Sequence, residues 1–435
     1  MPNPFFYGNP VSPNQFIGRR RALRRVVSRI LNQGQSTAVV GEPRSGKTSL
    51  LLYLSAPETH EDLYGERGES GLGRPLLFTY LDAQTLGGAF TQARFWEHAL
   101  HPLRAEMADP ASPLAQAYRT CRENDFGCFV LERLLAQMRA DDWRLVLLLD
   151  EFDALLHHPV LNKAEFFGSL RSLASRSRGA LALVIASRCP LTELNKETQE
   201  LSRTGSPYFN FLDELTLGPW PNKDVEALLR RAERFTPDDR RFVVRVAGGH
   251  PYLLQAAAFE LWEAYAEGLD DTGARRREAG KRLYDKAALI LEDTWRLWPP
   301  ATRRAFTIVA LADVARMLEQ RRFYEIPLVR DRRDVGRELR ALAKQGFVTQ
   351  DDAAPTDYRV RTQAFLWWLA DELVRTVRDE APFEEWLSKQ EMGILLTKGE
   401  REQLDEAVRA IGGLLEDGAS TLIEAAATGV VRGGN

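Results

Sequence analysis

Cysteine is nearly missing from this chain: Cys121, Cys128 and Cys189 are the only three in 435 residues. They are too few and too scattered for a disulfide framework, and they read as structural thiols of a reducing compartment. Cys121 and Cys128 stand seven apart, on one face if that stretch is helical, and no nearby histidine completes a metal set with them. Histidine is also scarce. His157-His158 reads as a surface pair, and His250 has no His or Cys close in sequence to make it a ligand or base. No run reaches the length needed to span a bilayer. The start, Met1-Pro2-Asn3-Pro4-Phe5-Phe6-Tyr7-Gly8, lacks the basic residues and apolar run of a signal peptide, so a cytoplasmic location is expected. An excess of one charge sign is lacking too. The net charge of -3 gives no global pull toward nucleic acid or anionic membrane, and any such affinity must come from a local patch. Without an internal repeat, a solenoid is excluded.

The chain does carry a phosphate-binding pattern. Gly41-Glu42-Pro43-Arg44-Ser45-Gly46-Lys47-Thr48 spells G-x-x-x-x-G-K-S/T and follows Ser36-Thr37-Ala38-Val39-Val40, a short buried strand. Glycines at both ends let the backbone curl so that successive N–H groups face a β-phosphate, while the Lys47 ammonium reaches the β/γ oxygens and the Thr48 hydroxyl ligates Mg²⁺. Ser49-Leu50-Leu51-Leu52-Tyr53-Leu54 then supplies a helix whose N-terminus faces the phosphates. The loop residues Gly41, Pro43, Arg44, Ser45, Gly46, Lys47, Thr48 and Ser49 are therefore expected to hold ATP or ADP.

Three further apolar runs end at polar residues: Pro75 to Asp82, Trp143 to Asp150-Glu151, and Leu181 to Ala186 before Ser187-Arg188. Runs without polar alternation, separated by helical stretches, predict a parallel sheet covered on both faces. A last strand is expected within 209–217, before the break Gly218-Pro219-Trp220-Pro221. The expected fold is thus α/β, a doubly wound parallel P-loop core over 1–220. Helix signals beyond the break (a capping Asn222, then Thr236-Pro237, then a long apolar helix from Tyr252 after Gly248-Gly249-His250-Pro251) predict a helical lid over 221–290. Helical pieces near Arg304–Leu311 and Val314–Leu318, a helix ending at Gly346, and two strands around Asp351–Pro355 predict a winged-helix domain over 291–377. A helical tail occupies 378–435 and thins from Ala425 onward.

Asp150-Glu151 closes a strand where doubly wound sheets place active groups. Asp150 is expected to hold Mg²⁺, partly through water, and Glu151 to polarise the attacking water, whereas Asp153 reads as a surface acid. Arg188, after the next strand, can fork onto a γ-phosphate. Phe16-Ile17-Gly18-Arg19 could wrap over the adenine, with Ile17 on the base and Gly18 allowing close approach; Arg19–Arg21, Arg24 and Arg25 could equally form a basic helix face. Residues 301–361 hold 13 Lys+Arg against 9 Asp+Glu, and Arg330, Arg332, Arg333, Arg337 and Arg340 cluster around one helix. Asp331, Asp334 and Glu338 dilute that patch, so DNA contact and docking on the ATPase core both stay open. In the tail, Leu404, Val408, Ile411, Leu414 and Leu415 form an apolar stripe that could bind a partner, self-associate, lie on a membrane or pack on the winged helix.

Taken together, Phe16-Ile17-Gly18-Arg19, the Gly41–Thr48 loop, Asp150-Glu151, Ser187-Arg188 and Gly248-Gly249-His250-Pro251 resemble the STAND class of AAA+-like P-loop ATPases, over roughly Asn3 to Arg375. The resemblance implies a signalling switch, in bacteria often a defence component, that holds ADP when closed and opens and oligomerises with ATP. It further implies that Arg188 senses the γ-phosphate and that Pro251 packs near the base. Large members carry an N-terminal effector and a C-terminal repeat sensor; this chain shows neither, so sensing and effect are expected to lie in partner proteins or in the tail after Arg378. The second reading is a DNA-loading AAA+ ATPase similar to archaeal origin initiators or transposition ATPases. Those would carry a small polar residue at Arg188 and a lid arginine in place of Gly249-His250-Pro251. A metabolic kinase is disfavoured, since no acceptor-substrate site is recognisable.

Overall fold

Four apolar runs and one short mixed segment become the strands of a single parallel sheet: β1 (Thr37–Val40), β2 (Leu76–Asp82), β3 (Arg144–Asp150), β4 (Leu181–Ser187) and β5 (Asp213–Thr216). Their order is β2-β3-β4-β1-β5. The computed structural model describes residues 2–65, 76–201, 207–317, 335–378, 383–415 and 418–428, which cluster into two compact units.

The first unit, Pro10–Glu42 with Gly46–Leu217, is the sheet and its covering helices. These are α1 (Arg20–Gln33), α2 (Lys47–Ser55), α3 (His60–Tyr64), α4 (Gln92–Ala99), α5 (Pro113–Glu123), α6 (Cys128–Ala140), α7 (Ala164–Arg176) and α8 (Leu191–Glu197). Because a strand's side chains alternate, β3 and β4 split their apolar residues between two cores. Leu145, Leu147, Leu149, Leu181, Leu183 and Ile185 pack with Phe95, Trp96, Leu134 and Phe167 on one face. On the other, Val146, Leu148, Val184 and Ala186 meet Val26, Ile30, Leu50 and Leu54 from α1 and α2. Burial of each such side chain contributes on the order of 1.5–3 kcal/mol, which is why the runs show no polar alternation.

Cys121 lies in the last turn of α5 and Cys128 begins α6, so they do not share a helix face; the turn at Asp125 and Phe126, both at positive φ, separates them. His158 is buried rather than superficial, with Nδ1 accepting the Val160 and Leu161 N–H groups at 3.2 and 3.0 Å.

The second unit comprises Met1–Asn9, Pro43–Ser45 and Gly218–Asn435. It contains α9 (Asn222–Leu229), α10 (Pro237–Ala247), α11 (Pro251–Ala266), α12 (Thr272–Leu297), α13 (Pro300–Met317), α14 (Gly336–Gln345), the antiparallel pair β6 (Val348–Gln350) and β7 (Tyr358–Val360), α15 (Gln363–Arg378), α16 (Phe383–Lys389), α17 (Lys398–Leu414) and α18 (Ala419–Thr428). Thr236 and Asp239 form a capping box at α10. At α9 the cap position is Pro221, so Asn222 is the first helical residue rather than the cap. The two helical pieces expected near 304 and 314 are one continuous helix, since no breaker separates them. Gly346, at φ 92°, ends α14, and its backbone lies so close to Pro219 that a Cβ would stand 2.6 Å from the ring.

The tail does not thin at Ala425, because the alanines there continue α18. Leu404, Val408, Ile411 and Leu415 are buried, and Val408 and Ile411 pack with Leu311, Val314 and Leu369 of α13 and α15. Arg330, Asp331, Arg332, Arg333, Asp334, Leu318 and the side chain of Leu414 lie outside the described residues, as do Pro75 and the last residues from Gly429. Among the described residues no helix is long and apolar enough to cross a membrane.

Candidate nucleotide site

Parallel topology brings the candidate residues Lys47, Asp150, Glu151 and Arg188 to one edge of the sheet. Gly41 leaves β1 with its N–H donating to Ser187 O at 3.2 Å, which ties the loop's root to the end of β4. Gly46, at φ 94°, caps α2 in the left-handed region, and the space a Cβ would occupy there is open for 4 Å. A loop so shaped leaves main-chain room where a phosphate would lie. Lys47 opens α2, is 5 % exposed, and donates to Gly41 O at 2.8 Å and Glu42 O at 3.2 Å. Burial pushes its ammonium below the usual lysine range, against the opposing pull of Glu151, Asp153 and Glu42. Thr48 and Ser49 follow in the first turn; the Ser49 hydroxyl accepts the Val11 N–H at 3.2 Å.

β2 and β3 end in register, Asp82 beside Asp150. Asp150 is buried; its Oδ1 accepts the Glu151 N–H at 3.0 Å and its Oδ2 accepts the Tyr80 hydroxyl at 2.8 Å. Burial first, and then the Asp150 charge, push the Tyr80 phenol well above its ordinary value, so it stays a donor. Glu151 sits at φ 47°, a left-handed conformation that side chains other than glycine seldom take. Its Oε2 accepts Arg188 Nε at 3.0 Å, while the Arg188 N–H donates to Asp153 Oδ1 at 3.0 Å. Asp153 is therefore an anchor for the segment carrying Arg188 rather than a surface acid. Its place after Glu151 gave no periodic signal because the chain there is a 3-10 turn, Phe152–His157. Tyr80 was likewise invisible in sequence, being one half-buried residue of a strand.

Lys47, Asp150, Glu151 and Arg188 thus all belong to the sheet unit and to its C-terminal edge. Phe16 stacks on Tyr53 of α2, ring centroids 4.4 Å apart, so its ring is engaged by the protein. Gly18 (φ 73°) and Arg19 (φ 57°) turn the chain into α1, with Ile17 half-buried before them. The basic face of α1 is partly structural: Arg25 clamps Asp213 of β5 with two bonds of 2.8 Å.

In the helical unit, Pro251 is the first residue of α11 and His250 its cap. His250 Nε2 lies 3.2 Å from the carbonyl of Pro43, and the Arg44 guanidinium donates to Gly8 O. Gly248 and Gly249 serve close packing: added Cβ atoms would meet Thr362 Oγ1 at 2.3 Å and Pro219 Cβ at 3.1 Å. Among the described residues no three His, Cys, Asp or Glu side chains converge as a metal set. Thr48 and Asp150 remain as the residues that would hold a magnesium ion together with phosphate oxygens.

No protein-family model and no curated protein sequence matches the chain. Among solved structures it is similar to a Walker-type ATPase of Pyrococcus abyssi, at 16% identity over 82% of this chain and 96% of that one, with a TM-score of 0.49. It is also similar to the ORC2 protein of Aeropyrum pernix. In its ADPNP–ADP complexes the identity is 15% over 92% of this chain and 95% of that one, TM-score 0.45. In its ADP form the values are 14%, 94% and 96%, with a TM-score of 0.42.

Proposed function

We propose that the chain is an ATP-binding, slowly hydrolysing switch of the STAND type. The ion pair between Arg188 and Glu151 carries this reading. Glu151 is the proposed carboxylate for polarising a water, and one of its oxygens already accepts from Arg188, the residue expected to sense a γ-phosphate. Arg188 cannot offer the same N–H to both. When its fork turns to a γ-phosphate, Glu151 is released to act as base; with a diphosphate it stays sequestered. Lys47 and the loop amides would hold the nucleotide, Thr48 and Asp150 would hold Mg²⁺, Asp150 with the Tyr80 hydroxyl donating to its Oδ2, and the ion would neutralise charge on the phosphate oxygens. Pro251 and Phe16–Arg19 are the proposed base-side contacts. The proposed divisions are core 1–220, lid 221–290, winged helix 291–377 and tail 378–435, with a partner protein as sensor or effector, a role in bacterial signalling or defence, and a cytoplasmic setting.

Sizing the purified protein with ADP and with a non-hydrolysable ATP analogue tests the switch. Assembly or opening with the analogue alone supports it, and an identical profile in both refutes it. Glu151→Gln should trap ATP; normal turnover would remove Glu151 from its role. A second reading, a DNA-binding ATPase, is favoured by exposed Arg337 and Arg340 on α14 directly before the β6–β7 hairpin. Assembly that requires duplex DNA would select it.

A further inference from the structure

The opposite edge of the same sheet holds a second concavity. It has a volume of about 670 Å³, and Arg29, Arg139, Arg144 and Arg178 line it. Its walls are the C-terminal ends of α1, α6 and α7, the first residue of β3, and the turns that lead into β1, β4 and β5. A parallel α/β fold must collect helix C-termini here, and each carries about half a negative charge on its last carbonyls. Carbonyls of the α1 C-terminus and of the adjoining turns fix the arginines. Arg144 donates to Gly179 O at 2.6 Å and Leu31 O at 2.9 Å, Arg29 to Ser36 O at 2.8 Å, and Arg139 to Arg178 O. The floor is rigid, because a Cβ on Gly34 would stand 2.5 Å from Gly179 O.

Charge is not balanced within this cavity. No carboxylate lines it, and among the described residues Arg139, Arg144 and Arg178 form no ion pair. Arg29 lies 3.8 Å from Asp213, but that carboxylate is already clamped by both arms of Arg25. Burial, and then the neighbouring Arg139 charge, lower the Arg144 value, which marks a cation held without a counter-ion. Three helix ends supply roughly -1.5 charges against four guanidinium groups, so positive charge remains. Arginine forks match phosphate oxygens two at a time, and the volume exceeds what one phosphate fills.

We propose that this cavity is an anion site for a compact soluble ligand carrying two or more phosphate groups, separate from the loop that holds ATP. The sheet lies between the two edges, so both sites can be filled at once.

Calorimetry with inorganic tripolyphosphate on the full chain carrying Lys47→Ala tests this without interference from the P-loop. One equivalent should bind, and adding Arg139→Glu with Arg178→Glu should weaken it at least about tenfold. Should that pair unfold the protein, Arg178→Glu alone, at an exposed side chain, should give a smaller loss in the same direction. The affinity should fall steeply with salt. Absence of binding in the Lys47→Ala protein, or binding indifferent to the Arg178 variants, would overturn the proposal. Tighter binding of a short single-stranded oligonucleotide would overturn it in favour of a strand-tracking surface.

Discussion

Each unit buries a charge, and they treat it in opposite ways. In the helical unit Asp239 is fully enclosed, yet Arg276 Nε reaches Oδ1 at 2.8 Å while the Tyr265 and Thr236 hydroxyls reach Oδ2 at 2.6 and 2.8 Å. Burial acts to raise this carboxyl, but the hydrogen bonds from Tyr265, Arg276 and Thr236 outweigh it and hold it below the ordinary range. In the sheet unit Lys47 is nearly as enclosed, and among the described residues its ammonium hydrogen-bonds to two carbonyls of its own loop, with carboxylates acting from further off. A buried ion whose every lone pair is answered holds a fold together, whereas one left with neutral partners is positioned for something that arrives later.

The largest expected effect comes from the satisfied charge. Asp239→Ala should cost about 3–5 kcal/mol of unfolding free energy, because it strands the Arg276 guanidinium; denaturant unfolding followed by tryptophan fluorescence reads this. Lys47→Ala should do the reverse. ATP binding should weaken at least about a hundredfold, while unfolding free energy moves by about 1 kcal/mol or less. Comparable destabilisation by both variants would break the contrast.

Acidity sharpens it. A carboxyl with a depressed folded value contributes stability that is complete above its unfolded pKa, about 3.9, and is lost as pH falls through the folded one. Wild-type stability should therefore drop below about pH 4, and Asp239→Asn should flatten that portion of the curve. Arg188→Gln should reduce the preference for an ATP analogue over ADP roughly tenfold, read by competition titration. Smallest of all, Tyr80→Phe should remove one hydrogen bond from Asp150, weakening magnesium-dependent nucleotide binding by about 0.5–1.5 kcal/mol and leaving metal-free binding unchanged.

How far the sequence could be read follows from where information sits along it. The phosphate loop and the four apolar strands are local patterns, and each is legible because its residues are contiguous. Asp150, Glu151 and Arg188 were readable as ends of such runs. The pairing of Arg188 with Glu151 was not, since it depends on which strand lies beside which. Tyr80, Asp153 and the arginines at 29, 139, 144 and 178 are single residues in separate segments, brought together by the sheet alone. The Asp239 network was half visible: Thr236 and Asp239 announce a cap, but Arg276 lies 37 residues onward. Cys121 and Cys128 misled for a related reason, because their spacing suits one helix and a turn intervenes.

The backbone of Glu151 has a consequence for anyone engineering this protein. Its φ of 47° places a side-chain-bearing residue where an L-amino acid gives up on the order of 1–2 kcal/mol. Glycine at that position would relieve the strain and raise the melting temperature, and it would also delete the carboxylate proposed to act on water. A screen selecting thermostability alone would drift toward that replacement and recover a sturdier protein without the proposed hydrolytic group.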